Sequence, residues 1–215
     1  MTLNDIKKAA LQLMFANYSD DLTDENVDVD EISNEEYTQY LVNMNASINR
    51  CLGRIESANV LPLKTISITP ATAKESTSSD TFSRYELKTL ASDFLSLSRI
   101  AKECGCEYKP SVKYHIEGTV VVLEPLKEGE QYIVVYRRRP ARVSIRAVSS
   151  TTVDVPDNIA EIIPHYIKAD LFEEDEPNLA LQSRNIFESL LTQLVVDESD
   201  GIPGGVVNVW GGGLQ

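Results

Sequence analysis

Only three cysteines, Cys51, Cys104 and Cys106, occur in 215 residues. So sparse and odd a set does not build the disulfide framework of a small secreted domain, and all three are expected to be thiols in a reducing cytoplasm. Histidine is scarcer still: His115 and His165 stand alone, and neither lies in a zinc-helix or nucleophile motif. Cys104-Gly105-Cys106 places its thiols closer together than zinc sites do and lacks enough further ligands, so it reads as a tight turn with small side chains. A phosphate-cradling glycine loop, a dinucleotide fingerprint and a serine elbow are all missing. The expectation is therefore no catalytic residue, no metal and no cofactor.

Long apolar runs are missing too. No stretch approaches the roughly 20 residues needed to span a bilayer, and no basic segment followed by an apolar run opens the chain, so an unexported protein with no membrane partner is expected. Positive charge is in short supply, with 20 Lys and Arg against 33 Asp and Glu and a net charge of −13. That balance argues against a protein whose main work is to coat nucleic acid, because neutralising phosphates takes clustered cations.

What is there reads first as helix. Thr2 and Asp5 form a capping pair ahead of Leu3, Ile6, Ala10, Leu13 and Met14, a helical period that predicts an end near Asn17. Asp20 to Glu31 is an acidic run without a basic residue, either a solvated connector or a docking strip for a basic partner. Ser33-Asn34-Glu35-Glu36 has the form of a capping box. After it, Tyr37, Tyr40, Leu41, Met44, Ile48, Cys51, Leu52 and Ile55 line one helix face, with Cys51 as a buried apolar residue.

From Leu61 the period shortens. Thr65 to Thr69 alternates, Ala71 to Asp80 is a Ser/Thr-rich loop, and further strands are expected at Ser83 to Leu87, Leu97 to Ala101, Lys113 to Glu117, Val120 to Leu123 and Gln131 to Tyr136. After Pro156 the helical period returns. Pro164 is expected at the start of a helix or at a kink, and a last helix carries Leu179, Ile186, Phe187, Leu190, Leu191 and Leu194 as its apolar stripe. The carboxylates Glu173 to Glu176 read as a solvated helix end.

Two helices, a strand block and two helices predict an α+β fold. Residues 1–60 and 154–196 supply a helical bundle, 61–153 an inserted small antiparallel β domain, and 197–215 an extended C-terminal arm. The arm holds the apolar word Val206-Val207-Asn208-Val209-Trp210 between glycine pairs and triplets, followed by Leu214, and such a word can add to another chain's sheet edge. The one basic concentration is Arg137, Arg138 and Arg139 with Arg142 and Arg146. It can meet a neighbouring subunit's carboxylates or a phosphate backbone, or simply end a strand in solvent.

Several of these words, in this order, resemble the head-to-tail connector or adaptor proteins of tailed bacteriophages. They are Tyr85-Glu86-Leu87 before Ser92-Asp93-Phe94-Leu95, then Tyr132-Ile133-Val134-Val135-Tyr136-Arg137-Arg138-Arg139-Pro140, then the helix-pair word from Val155 to Pro177 followed by Ala180 to Leu194. The likeness covers roughly residues 80 to 196. It implies a structural virion protein of the neck, assembled in the host cytoplasm as a homo-oligomeric twelve-fold ring beneath the portal. It further implies a tail or neck protein on the other side, DNA passing through without sequence-specific binding, and an arm that reaches up to the portal. The arm residues Val206, Val207, Val209, Trp210 and Leu214 fit that role. The alternative from another class is a nucleic-acid-associated module using Arg137 to Arg146.

Overall fold

A computed structural model describes residues 1–15, 27–32, 35–70, 82–104, 107–109 and 112–200. The chain is α+β and divides into two compact units: a helical unit of Met1–Val60, Ser144–Thr152 and the chain from Asp157, and a β unit of Leu61–Val143 with Val153–Pro156.

In the helical unit, α1 (Leu3–Met14) opens on a reciprocal capping box. Asp5 N donates to Thr2 Oγ1 at 3.3 Å and Thr2 N donates to Asp5 Oδ2 at 2.8 Å. Leu3, Ile6, Ala10, Leu11 and Met14 are buried, so Leu11 takes the inward place expected of Leu13. The helix stops three residues earlier than Asn17, because Phe15 caps it and Lys168 Nζ donates to the Leu13 carbonyl at 2.6 Å, a cation at the negative end of the helix. Helix α2 (Glu35–Ala58) buries Tyr37, Met44, Ile48, Cys51, Leu52 and Ile55 as its period requires. Ser33 and Asn34 of the expected capping box lie outside the described residues. Phe15 sits 5.0 Å from Tyr37 and 6.3 Å from Phe172, ring centre to ring centre, tying three helical segments together.

Helix α3 (Leu87–Leu90) belongs to the β unit. The helical period after Pro156 resolves into α4 (Asp157–Ala160), α5 (Ile163–Leu171) and α6 (Pro177–Asp200). Pro164 sits in the first turn of α5, where its missing N–H costs nothing. The stripe of α6 needs correction: Ala180, Ser183, Phe187 and Leu191 face inward, while Leu179 and Ile186 remain 39% and 45% exposed. Small residues at 180 and 183 let the helix approach closely, and that rotates the bulkier Leu179 and Ile186 to its flank. Two guanidinium–carboxylate pairs cross the helices. Arg50 Nε donates to both Asp170 oxygens at 3.1 Å, and Arg54 grips Glu188 through Nε at 2.9 Å and Nη2 at 2.7 Å.

The acidic run is not a free connector at its C-terminal end. Val29–Glu31 forms a 3-10 turn with Val29 buried, and Asp28 and Asp30 accept from Ser149 Oγ (3.0 Å) and Ser149 N (2.7 Å). The Asp28 carboxyl is held below its ordinary value by hydrogen bonds from the Asp30 backbone and the Ser149 side chain. Residues 20–26 lie outside the described residues, as does the Ser/Thr-rich loop 71–80.

The β unit contains two antiparallel sheets. One has the order β1 (Lys64–Ile68), β7 (Glu130–Arg138), β3 (Phe94–Cys104), β4 (Glu107–Lys109); the other has β2 (Ser83–Glu86), β6 (Val120–Leu123), β5 (His115–Glu117). Ile68, Tyr85, Phe94, Ile100, Val121, Leu123, Tyr132, Val134 and Tyr136 form a core shared by both sheets. Three strands differ from expectation. Leu87 opens the helical turn α3 because Glu86 caps it through Lys88 N. The strand expected at Leu97 runs from Phe94 to Cys104 with register shifts at Leu95 and Ser98, which break the alternation by which a strand is read. β5 starts at His115, two residues after Lys113, and turns into β6 through Gly118 at φ +66°. No helix among the described residues is long and apolar enough to cross a membrane.

Candidate functional site

The arginine cluster is the first surface to place. Strand alternation along β7 puts Tyr132, Val134, Tyr136 and Arg138 inward and leaves Arg137 half-buried on the other face. Arg138 is 8% exposed. Its Nη1 donates to Asp154 Oδ2 at 2.6 Å and its Nη2 to the Asp154 carbonyl at 3.2 Å, while Ala141 N donates to the same Oδ2 at 3.0 Å. Asp154 thus fastens the strand end to the short return segment Val153–Pro156, and Arg138 is occupied inside the unit. Arg139 and Arg142 are exposed, with Arg139 N donating to the Asp93 carbonyl at 2.8 Å. Arg146, also exposed, belongs to the helical unit, so the five arginines are divided between the units.

Beside Arg138 lies a second polar knot. Asp93 accepts from Tyr136 OH at 2.8 Å and from Lys64 Nζ at 2.6 Å. Burial alone would raise the Asp93 carboxyl, but these hydrogen bonds outweigh it and hold the group below its ordinary value. Tyr136 is pushed up to about 12 by burial and by the Asp93 carboxylate. These groups organise the strand end; of the other arginines in this unit, Arg139 and Arg142 are exposed and Arg137 is half-buried.

The described thiols and histidines are divided between the units, Cys51 and His165 in the helical one and Cys104 and His115 in the β one. Cys51 is fully buried in α2, where burial pushes its thiol well up, so it serves as core. Cys104 is exposed at the end of β3; Cys106 lies outside the described residues. His115 is exposed on β5 with Glu117 at 3.8 Å, whereas His165 sits in α5 of the other unit, its imidazole pushed down by burial and by Lys168. Among the described residues no three His, Cys, Asp or Glu side chains are grouped to hold a metal ion.

A surface that the sequence did not single out lies on the helical unit. Lys7, Asp30, Leu41, Val42, Asn45 and the segment Ile145–Val148 line an open groove of about 480 Å³. Val42 and Ile145 are each 75% exposed and Val148 60%. Asn45, itself buried, spends its Nδ2 on the carbonyls of Ser144 (3.3 Å), Ile145 (3.1 Å) and Ala147 (3.4 Å), and its buried Oδ1 has no partner. Val42 stands off the buried stripe of α2, the one signal in the sequence that could have marked it. Ile145 and Val148 follow no period, so nothing pointed to them.

The arm residues Val206, Val207, Val209, Trp210 and Leu214 lie outside the described residues. Compared with protein-family models and with curated proteins, the chain matches none.

Proposed function

We propose that this chain is a structural adaptor subunit of a tailed bacteriophage, one copy of a ring that joins the portal to the tail and lines the DNA channel. The observation that carries the reading is the architecture: helices from both ends of the chain share one unit and an antiparallel β unit is inserted between them. That is the arrangement the family resemblance implies. The resembling words also fall on elements, with Tyr132 to Arg138 as β7 and Val155 to Pro177 spanning α4, α5 and the first residue of α6.

In this reading the work is mechanical. A channel built from a chain of net charge −13 repels DNA and lets it pass without adhesion. Arg137, Arg139 and Arg142 meet carboxylates of a neighbour, and the arm from Gly201 to Gln215 holds the portal, with Trp210 as its apolar anchor. The internal engagement of Arg138 by Asp154 weakens the alternative in which the arginine cluster as a whole grips phosphates.

The test is to mix the purified chain with its cognate portal, with and without residues 201–215, and to separate the mixture by size. Full-length chain bound to portal and truncated chain left free is the expected result. Full-length chain that ignores the portal but binds duplex DNA, with affinity falling steeply as salt rises, contradicts it.

A further inference from the structure

We propose that β5, an edge of the three-stranded sheet, is a self-association site: two copies of this chain pair there antiparallel about a two-fold axis through Ile116 and join their sheets edge to edge. The inference goes beyond the adaptor reading and does not depend on it, because a two-fold contact closes on one pair of copies and does not repeat round a ring.

The hairpin that ends in β5 sets the edge. The sheet order β2-β6-β5 gives β5 one strand partner among the described residues, and His115, Ile116 and Glu117 are all exposed. Two residues, Gly118 and Thr119, join β5 to β6, with Gly118 at φ +66° as the first central position of a type II′ turn requires. In such a hairpin the residues flanking the turn, Glu117 and Val120, exchange both backbone hydrogen bonds, and alternate pairs beyond them do the same. Glu117 and His115 therefore spend their N–H and C=O on β6, while those of Ile116 point to the open side. An edge of this kind is a template for another strand.

The residues along the edge select a second copy as that strand. Edges are guarded against pairing by runs of one charge, above all lysine, or by proline, and β5 itself has neither. Antiparallel pairing centred on Ile116 sets Ile116 opposite Ile116, His115 opposite Glu117, and Tyr114 opposite Gly118. Ile116 is 41% exposed and lies in register with Val121 and, through it, with Tyr85, both buried, so the central pair extends the apolar face of the sheet. His115 and Glu117 lie on the other face, where cross-strand partners stand about 4.5–5.5 Å apart at Cβ. Within one copy His115 Nε2 is 3.8 Å from Glu117 Oε1, too far for a hydrogen bond, and Arg84 donates to the other oxygen, Oε2. Glu117 Oε1 can thus accept from the second copy's imidazole, which has an N–H to donate whether charged or neutral. Tyr114, 43% exposed, meets a glycine around which a Cβ would find nothing within 4 Å, the open space in which an aromatic ring covers an edge glycine. The two-fold axis makes the His115–Glu117 and Tyr114–Gly118 matches twice.

A contact this short falls below the ~1,200 Å² of a standard interface, so the dimer is expected to be weak and concentration-dependent, and a covalent trap reads it. The full chain with Cys104→Ser and Cys106→Ser leaves only the buried Cys51, and Ile116→Cys then places one thiol beside its copy. Cα atoms of a hydrogen-bonded antiparallel pair lie about 5.5 Å apart, within the reach of a disulfide. Under mild oxidation Ile116→Cys is expected to give several-fold more disulfide-linked dimer than Ile145→Cys, whose position is 75% exposed but off the edge. In the Ile116→Cys chain, His115→Glu or Glu117→Lys sets like charges opposite one another and lowers the dimer several-fold, while an equal mixture of those two variants restores it as the mixed pair, identified by mass. Circular dichroism of each variant matching the parent shows that the fold is intact. Dimer from Ile116→Cys no greater than from Ile145→Cys, charge variants that dimerise as the parent does, or a mixture that stays monomeric overturns the proposal.

Discussion

The two units keep their folds by different means. The helical unit is held mainly by apolar burial: Leu3, Ile6, Leu11, Met44, Ile48, Leu52, Ile55 and Phe187 all have 0% exposure, and its charged pairs each keep at least one partner in solvent, Asp30 beside the buried Lys7 and Arg50 beside Asp170 included. The β unit has a core whose aromatic residues carry polar tips inward. Tyr132 OH donates to the Glu124 carbonyl at 2.9 Å, Tyr136 OH to Asp93, and Arg138 is buried against Asp154. The transfer of apolar surface needs little geometry, whereas buried polar groups are stabilising only while every partner is in place. The helical unit should therefore tolerate changes of salt and pH, and the β unit should be the specific and breakable part.

That contrast can be broken at four points. The largest expected effect is Phe187→Ala, which opens a cavity beside Tyr166 and costs about 4 kcal/mol, read as a fall in the urea midpoint of helical ellipticity that is the same at low and high salt. Asp154→Ala strands Arg138 and removes the acceptor for Ala141 N. Because Asp154 is 45% exposed, water partly compensates, and a cost of about 2 kcal/mol is expected, below that of a fully buried pair. Equal salt dependence of the two variants in denaturant titrations would erase the distinction between the units.

Tyr136→Phe costs about 1 kcal/mol through its lost hydrogen bond and changes the alkaline limb of stability. Folded Tyr136 titrates at about 12 against about 10 when unfolded. The folded state therefore holds its proton where the unfolded state has lost it. This contribution is complete below the unfolded value and disappears as pH rises through the folded one, so the variant should lose less stability across that window than the parent does. The smallest effect belongs to Arg54→Ala, whose exposed pair with Glu188 is worth less than about 1 kcal/mol and should vanish in high salt. A larger, salt-resistant loss would show that the helical unit leans on its ion pairs after all.

The same physical difference explains what could be read in the sequence. Period-3.6 apolar patterns gave α1, α2 and α5 because a helix buries a stripe whatever it packs against, and Pro164 marked the start of α5 through its own chemistry. In α6, Phe187 and Leu191 lie inward as read, but Leu179 and Ile186 do not, since the feature that selects the remaining inward positions is the smallness of Ala180 and Ser183, a property of close approach and not of hydrophobicity. In the β unit, β6 was legible from its continuous β-branched run Val120 to Val122, whereas the bulges at Leu95 and Ser98 hid most of β3. Arg138 stood out as a basic residue, but nothing local revealed that Asp154, sixteen residues away, would claim it. The groove was invisible for a related reason, because Lys7, Val42 and Ile145 meet only in the folded unit.

The central claim is that copies of this chain form a ring on a portal, and the most direct measurement is the native mass of the portal mixed with excess full-length chain. The account predicts a single discrete species carrying twelve copies beneath one portal ring, and the portal alone when residues 201–215 are removed. A chain that remains monomeric beside an unmodified portal would contradict it.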